Sequence, residues 1–133
     1  MEVTPIHHLD VPATTDLSQG IRAGPFIFLS GQIGVGRDGR IASEDAEQQM
    51  IQAFANVKTL LEAAGSSLAD VVKITSYLTS EEHVPKLRAV RRRFFSSPFP
   101  ASTLLVVRSL ASPDYLYEVD IVAVSGRSHL DKP

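Results

Sequence analysis

The run "QAFANVKTLLEAAGSSLADVVKITSYLTS" at 52–80 decides the fold, because its hydrophobic period changes once, at a glycine. Before Gly65 the apolar residues Ala53, Phe54, Val57, Leu60, Leu61 and Ala64 recur three or four apart, and Ala46 and Met50 extend the stripe upstream. That spacing places them on one side of a helix running between Ser43 and Gly65. Ser43 is the expected N-cap. Glu44, Asp45 and Glu47 sit where the helix dipole favours acids, and Gly65 supplies the residue that ends the helix. Beyond Gly65 the pattern alternates over 70–79, with Val72, Ile74, Ser76 and Leu78 on one face and Val71, Lys73, Thr75 and Tyr77 on the other. A period of two predicts a strand.

Upstream, "PFIFLSGQIG" (25–34) reads as a short buried strand ending in a turn, and "GRDGRI" supplies a loop or hairpin signal after it. Downstream, Thr79 and Glu82 match a capping box, and Val84, Leu87, Val90 and Phe94 predict a second helix over 80–95 with a basic outer face. After "SSPFP" two strands follow, over 102–109 and 116–124, joined by "ASPD"; one additional N-terminal strand fits ahead of residue 25. Each helix has a single apolar stripe to bury. The expected fold is therefore an α+β domain with two helices on one face of a mixed sheet.

A chain of 133 residues holds one core of sufficient size, where two would each be marginal. Its 44% hydrophobic and 21% charged residues are ordinary for a folded domain, and a formal charge of −2 gives no general pull toward nucleic acid. No apolar run approaches the roughly 18 residues that span a bilayer, and the N-terminal segment is polar where a signal peptide is basic and then apolar. A cytoplasmic protein is expected. The absence of cysteine excludes disulfides, thiolate metal sites and a cysteine nucleophile.

Few stretches carry chemistry. "GVGRDG" (34–39) lacks the spacing of a dinucleotide fingerprint or a P-loop. His7 and His8 would point to opposite faces of a strand and have no carboxylate at ligand spacing, so a surface pair fits them better than a metal site. His83 reads as a solvated residue in the first turn of its helix. "RAVRRR" (88–93) brings Arg88, Arg91 and Arg92 together on a helix, but no aromatic platform is interleaved with them, and a solvated face is the simpler reading. The strand "LYEVDIVAV" (116–124) is different. It places Glu118 and Asp120 on one face with Leu116, Val122 and Val124. Carboxylates in such surroundings either sit at a wet edge or interface, or have pKa values raised toward the range useful for proton transfer.

"FIFLSGQIG", the run at 52–80, "FPAS" and "YEVDIVAV", in this order and spacing, resemble the Rid family, the reactive intermediate deaminases also called YjgF or endoribonuclease L-PSP proteins. The resemblance covers about Ser18 to Val124. It implies a chorismate-mutase-like fold, a homotrimer around a barrel of sheets with the helices outside, and ligand clefts between adjacent subunits. It also implies hydrolysis of imines and enamines such as 2-aminoacrylate to a keto acid and ammonia, with no cofactor and no metal. In the family an arginine of the motif "FPAR" grips the substrate carboxylate, and a glutamate of the last strand positions or activates water.

Glu118 matches that glutamate, whereas Ser102 stands in the arginine's place. Two further positions depart: Leu17 replaces a tyrosine before the Gln-Gly of the N-terminal segment, and Arg88 replaces an asparagine of the second helix. The resemblance assigns Glu118 the catalytic role. It assigns Ser30, Gly31, Gln32, Leu17, Arg88, Ser102 and Leu104 to the substrate pocket. Because one arginine is lost and another stands on a cleft wall, Arg88 is expected to take over anion recognition from a different direction. Asp120 would instead capture Arg88 or another arginine if that pair were purely structural. Arg108 shares the strand parity of Ser102 but lies about 20 Å along the strand, too far to substitute for the missing arginine.

Three functions follow as expectations. The first is a Rid-type hydrolase of a C–N bond in a reactive intermediate other than 2-aminoacrylate. The second is a non-catalytic metabolite-binding or interaction trimer. The third, an endoribonuclease, is disfavoured by the near-neutral charge and the lack of stacking aromatics. The expected partners are a small-molecule substrate and further copies of the chain, with neither membrane nor nucleic acid.

Overall fold

The computed structural model describes residues 1–127. Among the described residues seven strands form a mixed sheet and two α-helices pack on one face of it, as the α+β reading expects. The strands are β1 (Val3–Ile6), β2 (Gly20–Ala23), β3 (Phe26–Leu29), β4 (Gln32–Ile33), β5 (Val71–Leu78), β6 (Ala101–Val106) and β7 (Tyr117–Val124). The helices are α1 (Ala46–Ala63) and α2 (Val84–Phe94), with 3-10 turns at Leu68–Asp70 and Glu81–His83. The sheet order is β1-β2-β3-β7-β5-β6. Of the described strand pairs only β5 and β6 run parallel, and α2 serves as the crossover that joins them.

Local chemistry sets each boundary. The N-cap of α1 is Asp45, whose side chain accepts from Gln48 N, while Ser43 Oγ accepts from Asp45 N one step earlier. The expected Ser43 cap is thus displaced by a carboxylate, which suits the positive helix end better. At the other end Gly65 takes φ +75°, and Ser66 N and Gly65 N donate back to Leu61 O and Glu62 O at 2.8 and 3.0 Å. That pairing is a Schellman stop, as the glycine led us to expect. Ser80, and not Thr79, caps the 3-10 turn that leads into α2, its Oγ accepting from Glu82 N, while α2 itself starts after His83 without a side-chain cap.

Four sequence expectations about strands need correction. The segment 25–34 is two strands, because β3 and β4 both pair with β7 and the chain breaks at Ser30 and Gly31 between them. Two N-terminal strands precede it where one was expected. In β5 a bulge between Val71 and Lys73 turns Val71 to the buried face beside Ile74, Ser76 and Leu78, and Val72 loses its place there. The strand β6 ends at Val106, so Arg108 lies beyond it.

The core lies between the sheet and the helices. Phe54 of α1 stacks its ring 5.2 Å from Phe94, 5.7 Å from Phe95 and 5.7 Å from Tyr117. The polar side chains inside are matched. Gln49 donates to Ser43 O and Asp114 O and accepts from Leu116 N, while Asn56 donates to Ile33 O and Val35 O. Gly34 lies against Gln49 so closely that a Cβ there would stand 2.5 Å from the Gln49 Cα, which fixes β4 on α1.

The far face of the sheet is uncovered. Phe26 and Phe28 are 42% and 46% exposed there, and Leu105 is 45% exposed. In β7, Tyr117, Val119, Ile121 and Ala123 are buried under the helices, whereas Glu118, Asp120, Val122 and Val124 look out from the open face.

Candidate functional site

The break between β3 and β4 lies opposite Asp120, since Phe28 pairs with Val122 and Gln32 with Val119. Several bonds hold this turn. Ser30 N donates to Gln19 O at 2.9 Å, Ser30 Oγ donates to Ser18 O at 2.6 Å, and Gln32 Nε2 donates to Ser30 O at 2.9 Å. Gln19 in turn is buried and donates to His8 O, Val11 O and Pro12 O, which anchors the loop that presents Leu17. The result is a cleft of about 390 Å³ lined by Leu17, Ser30, Gly31 and Gln32, with Ala111 and Tyr115 from the loop before β7.

Glu118 borders this turn. Its carboxylate packs against Gly31, where any Cβ would collide with Glu118 Oε2 and stand 3.2 Å from Asp120 Oδ1. Glycine is therefore required for the carboxylate to sit where it does. The Glu118 carboxyl is held above its usual pKa, first by burial and second by the negative Asp120. Asp120 accepts a 2.9 Å hydrogen bond from Tyr77 OH, and that bond is the leading cause of an upward shift on the tyrosine. The partner of Asp120 is thus a tyrosine, and not an arginine.

Ser102 lies elsewhere. In the sheet register Ile74 pairs with both Ser102 and Ile121, while Tyr77 pairs with Glu118, so Ser102 shares the helix-covered face and Glu118 the open one. Ser102 belongs to a second cleft of about 320 Å³, formed with Arg88, Arg91 and Arg92 of α2 and with Ile74, Phe95, Phe99 and Pro100. Arg91 Nη1 donates to Ser102 Oγ at 3.1 Å. Leu104 packs against the core, beside Ser76 and Val119 in register, and does not line this cleft.

Within one chain the expected site residues therefore form two groups. Leu17, Ser30, Gly31 and Gln32 line the first cleft, with Glu118 packed against Gly31 behind its wall, and Arg88 and Ser102 line the second. Arg91, Phe95 and Phe99 were not among the expected site residues. The three-residue step from Arg88 pointed to Arg91, because it repeats one helical turn. The aromatic side chains were concealed because they come from the segment after α2 and are not interleaved with its arginines.

This fold, with its broken β3-β4 edge set against the β7 glutamate, is that of the endoribonuclease L-PSP family, whose model matches residues 8–125, and the chain belongs to that Rid family. A RutC family protein of Pyrococcus horikoshii is 38% identical over 107 residues, which are 80% of this chain and 84% of that one. A 2-iminobutanoate/2-iminopropanoate deaminase of Dermatophagoides farinae is 35% identical over 94 residues, 70% of this chain and 73% of that one. Among solved structures, RidA of an Antarctic Psychrobacter superposes with a TM-score of 0.86 at 30% identity, covering 91% of this chain and 98% of that one. Among the described residues no helix is long and apolar enough to cross a membrane.

Proposed function

We propose that the protein is a Rid-type hydrolase of an imine, an enamine or a related C–N bond in a reactive intermediate, working at clefts between copies in a cytoplasmic homotrimer. The observation that carries this reading is the Glu118 carboxylate, half-buried against Gly31 with its pKa raised. Water attacks the C=N carbon as Glu118 takes a proton from it, giving a carbinolamine. Collapse of that adduct forms C=O, and the nitrogen leaves as ammonia after receiving a proton. A carboxyl with a raised pKa holds the proton between these steps more readily than an ordinary glutamate. The deaminase named among the relatives supports the reaction class.

Recognition of the substrate anion passes to α2 in this reading. Ser102 is short and neutral, and Arg91 already reaches its hydroxyl. Arg91 and Arg88 therefore supply positive charge from the helix instead of from the strand. Since Glu118 and Ser102 occupy opposite faces of their own sheet, the two halves meet when the open face of one copy lies beside α2 and β6 of the next.

The test supplies imines enzymatically in the presence of a trapping amine and measures how much imine escapes the trap as keto acid. Hydrolysis abolished by Glu118→Gln is the expected result, with 2-aminoacrylate a poor substrate. Ligand binding without turnover of any imine would replace the hydrolase with the non-catalytic trimer.

A further inference from the structure

We propose that the cleft on the α2 side selects a substrate with two carboxylates, so that the intermediate hydrolysed is the imine of a dicarboxylic amino acid. This inference rests on the hydrolase reading of the same site and names its substrate class. Arg88, Arg91 and Arg92 converge on one concavity of about 320 Å³. Their neighbours on the helix behave differently. Lys86 and Arg93 pair with Glu47 at 3.4 and 3.9 Å, whereas among the described residues no carboxylate lies within ion-pair distance of the three arginines of the cleft. Arg91 uses one N–H on Ser102 and keeps the rest of its fork.

A basic last turn suits the negative end of any helix dipole, and that accounts for Arg91, Arg92 and Arg93 as a group. It does not account for Arg88, which lies a turn earlier, nor for an aromatic wall. Phe99 is 67% exposed at the cleft, and Ile74 and Phe95 are buried beneath it. An apolar floor lowers the local dielectric and strengthens attraction between the guanidinium groups and an anion.

Spacing chooses between anions. Residues three and four apart on a helix have Cβ atoms about 5–6 Å apart, so Arg88 with Arg91 or Arg92 presents two forks at separate points. Two carboxylates at the ends of a four- or five-carbon chain match two separate forks. A monocarboxylate engages one fork and leaves the other charges uncompensated, and a phosphate holds its charge on oxygens around a single phosphorus. In the dicarboxylate, one carboxylate sits on Arg91 beside the reacting carbon, the other on Arg88 or Arg92, and Phe99 covers the methylenes between. Such an imine forms when an amino dicarboxylic acid loses two hydrogens to a flavin or nicotinamide acceptor. Water then converts it to the keto diacid and ammonia.

The test is calorimetric titration of the full chain with succinate and glutarate against butyrate and valerate, with inorganic phosphate and a short single-stranded RNA as further arms. Dicarboxylates should bind about tenfold tighter than monocarboxylates of equal length. Arg88→Gln and Arg92→Gln should each shrink that advantage, while Arg91→Gln weakens both classes. These side chains lie at the surface of α2, and unchanged far-ultraviolet circular dichroism verifies that the variants fold. Equal affinity for the two classes, no detectable binding, or tighter binding of phosphate or RNA would each overturn the inference. Dicarboxylate preference without turnover of any imine removes the hydrolase and leaves the binding preference standing, whereas turnover without the preference does the reverse.

Discussion

Ser102 and Glu118 stand on opposite faces of one sheet, because β5 pairs Ile74 with the first and Tyr77, three residues on, with the second. A reaction that uses both cannot occur within one chain. Mixing two inactive variants therefore tests the arrangement directly. Glu118→Gln and Arg91→Gln, unfolded and refolded together in equal amounts, should regain activity. In randomly mixed rings about one cleft in four draws both intact residues, one from each neighbour. Activity no greater than the sum of the separate variants would show that one chain supplies the whole site.

Assembly is the second prediction. Phe26, Phe28 and Leu105 form an apolar open face that the two helices do not cover. Light scattering at micromolar concentration should give three times the 14.4 kDa of one chain. Phe28→Asp should reduce that mass, because it buries a charge in the contact. A wild-type mass of a single chain would refute the trimer.

The third concerns the charge on Glu118. Its carboxyl has a folded pKa above the ordinary 4.5, so folding favours the protonated form. Stability from this source is complete below the unfolded pKa and disappears as pH rises through the folded one. Glutamine carries no charge at any pH. Glu118→Gln should therefore melt higher than the wild type at about pH 8, with the gap closing toward about pH 4. A gap that widens on acidification would mean that Glu118 is held ionised by a partner.

Gly31→Ala is the fourth. The position needs no left-handed backbone, so alanine fits the chain, but its methyl displaces the Glu118 carboxylate. Hydrolysis should fall by about tenfold or more, since misplacing a reacting group by an ångström is enough for that. Thermal stability should move little, because the colliding atom ends a side chain that can turn aside. Full activity in the variant would separate Glu118 from the chemistry.

Legibility in the sequence followed the range of the interactions involved. The stripe from Ala46 to Ala64, the stop at Gly65 and the alternation of β7 are local, and all three were readable. The bulge at Val71 depends on register against Ala123 and Val122, and the break at Ser30 and Gly31 depends on two short strands sharing one long partner. Neither leaves a mark in hydrophobic period. The same holds at the site. Glu118 is visible as a carboxylate in an apolar strand and the helical step from Arg88 points to Arg91, whereas the bond from Arg91 to Ser102 emerges only when α2 is laid beside β6.

Gln49 has an effect that reaches past the core it sits in. Its amide grips the loop before β7 only through Asp114 O and Leu116 N, both main-chain atoms, so the identity of the loop side chains is irrelevant to the attachment. Ala111 and Tyr115, which wall the cleft beside Leu17, can therefore be exchanged without removing either of these two bonds. Ligand preference on this side can drift by single substitutions while the scaffold stays as it is, and in a lineage of such proteins specificity would diverge at Ala111 and Tyr115 sooner than at Gln49.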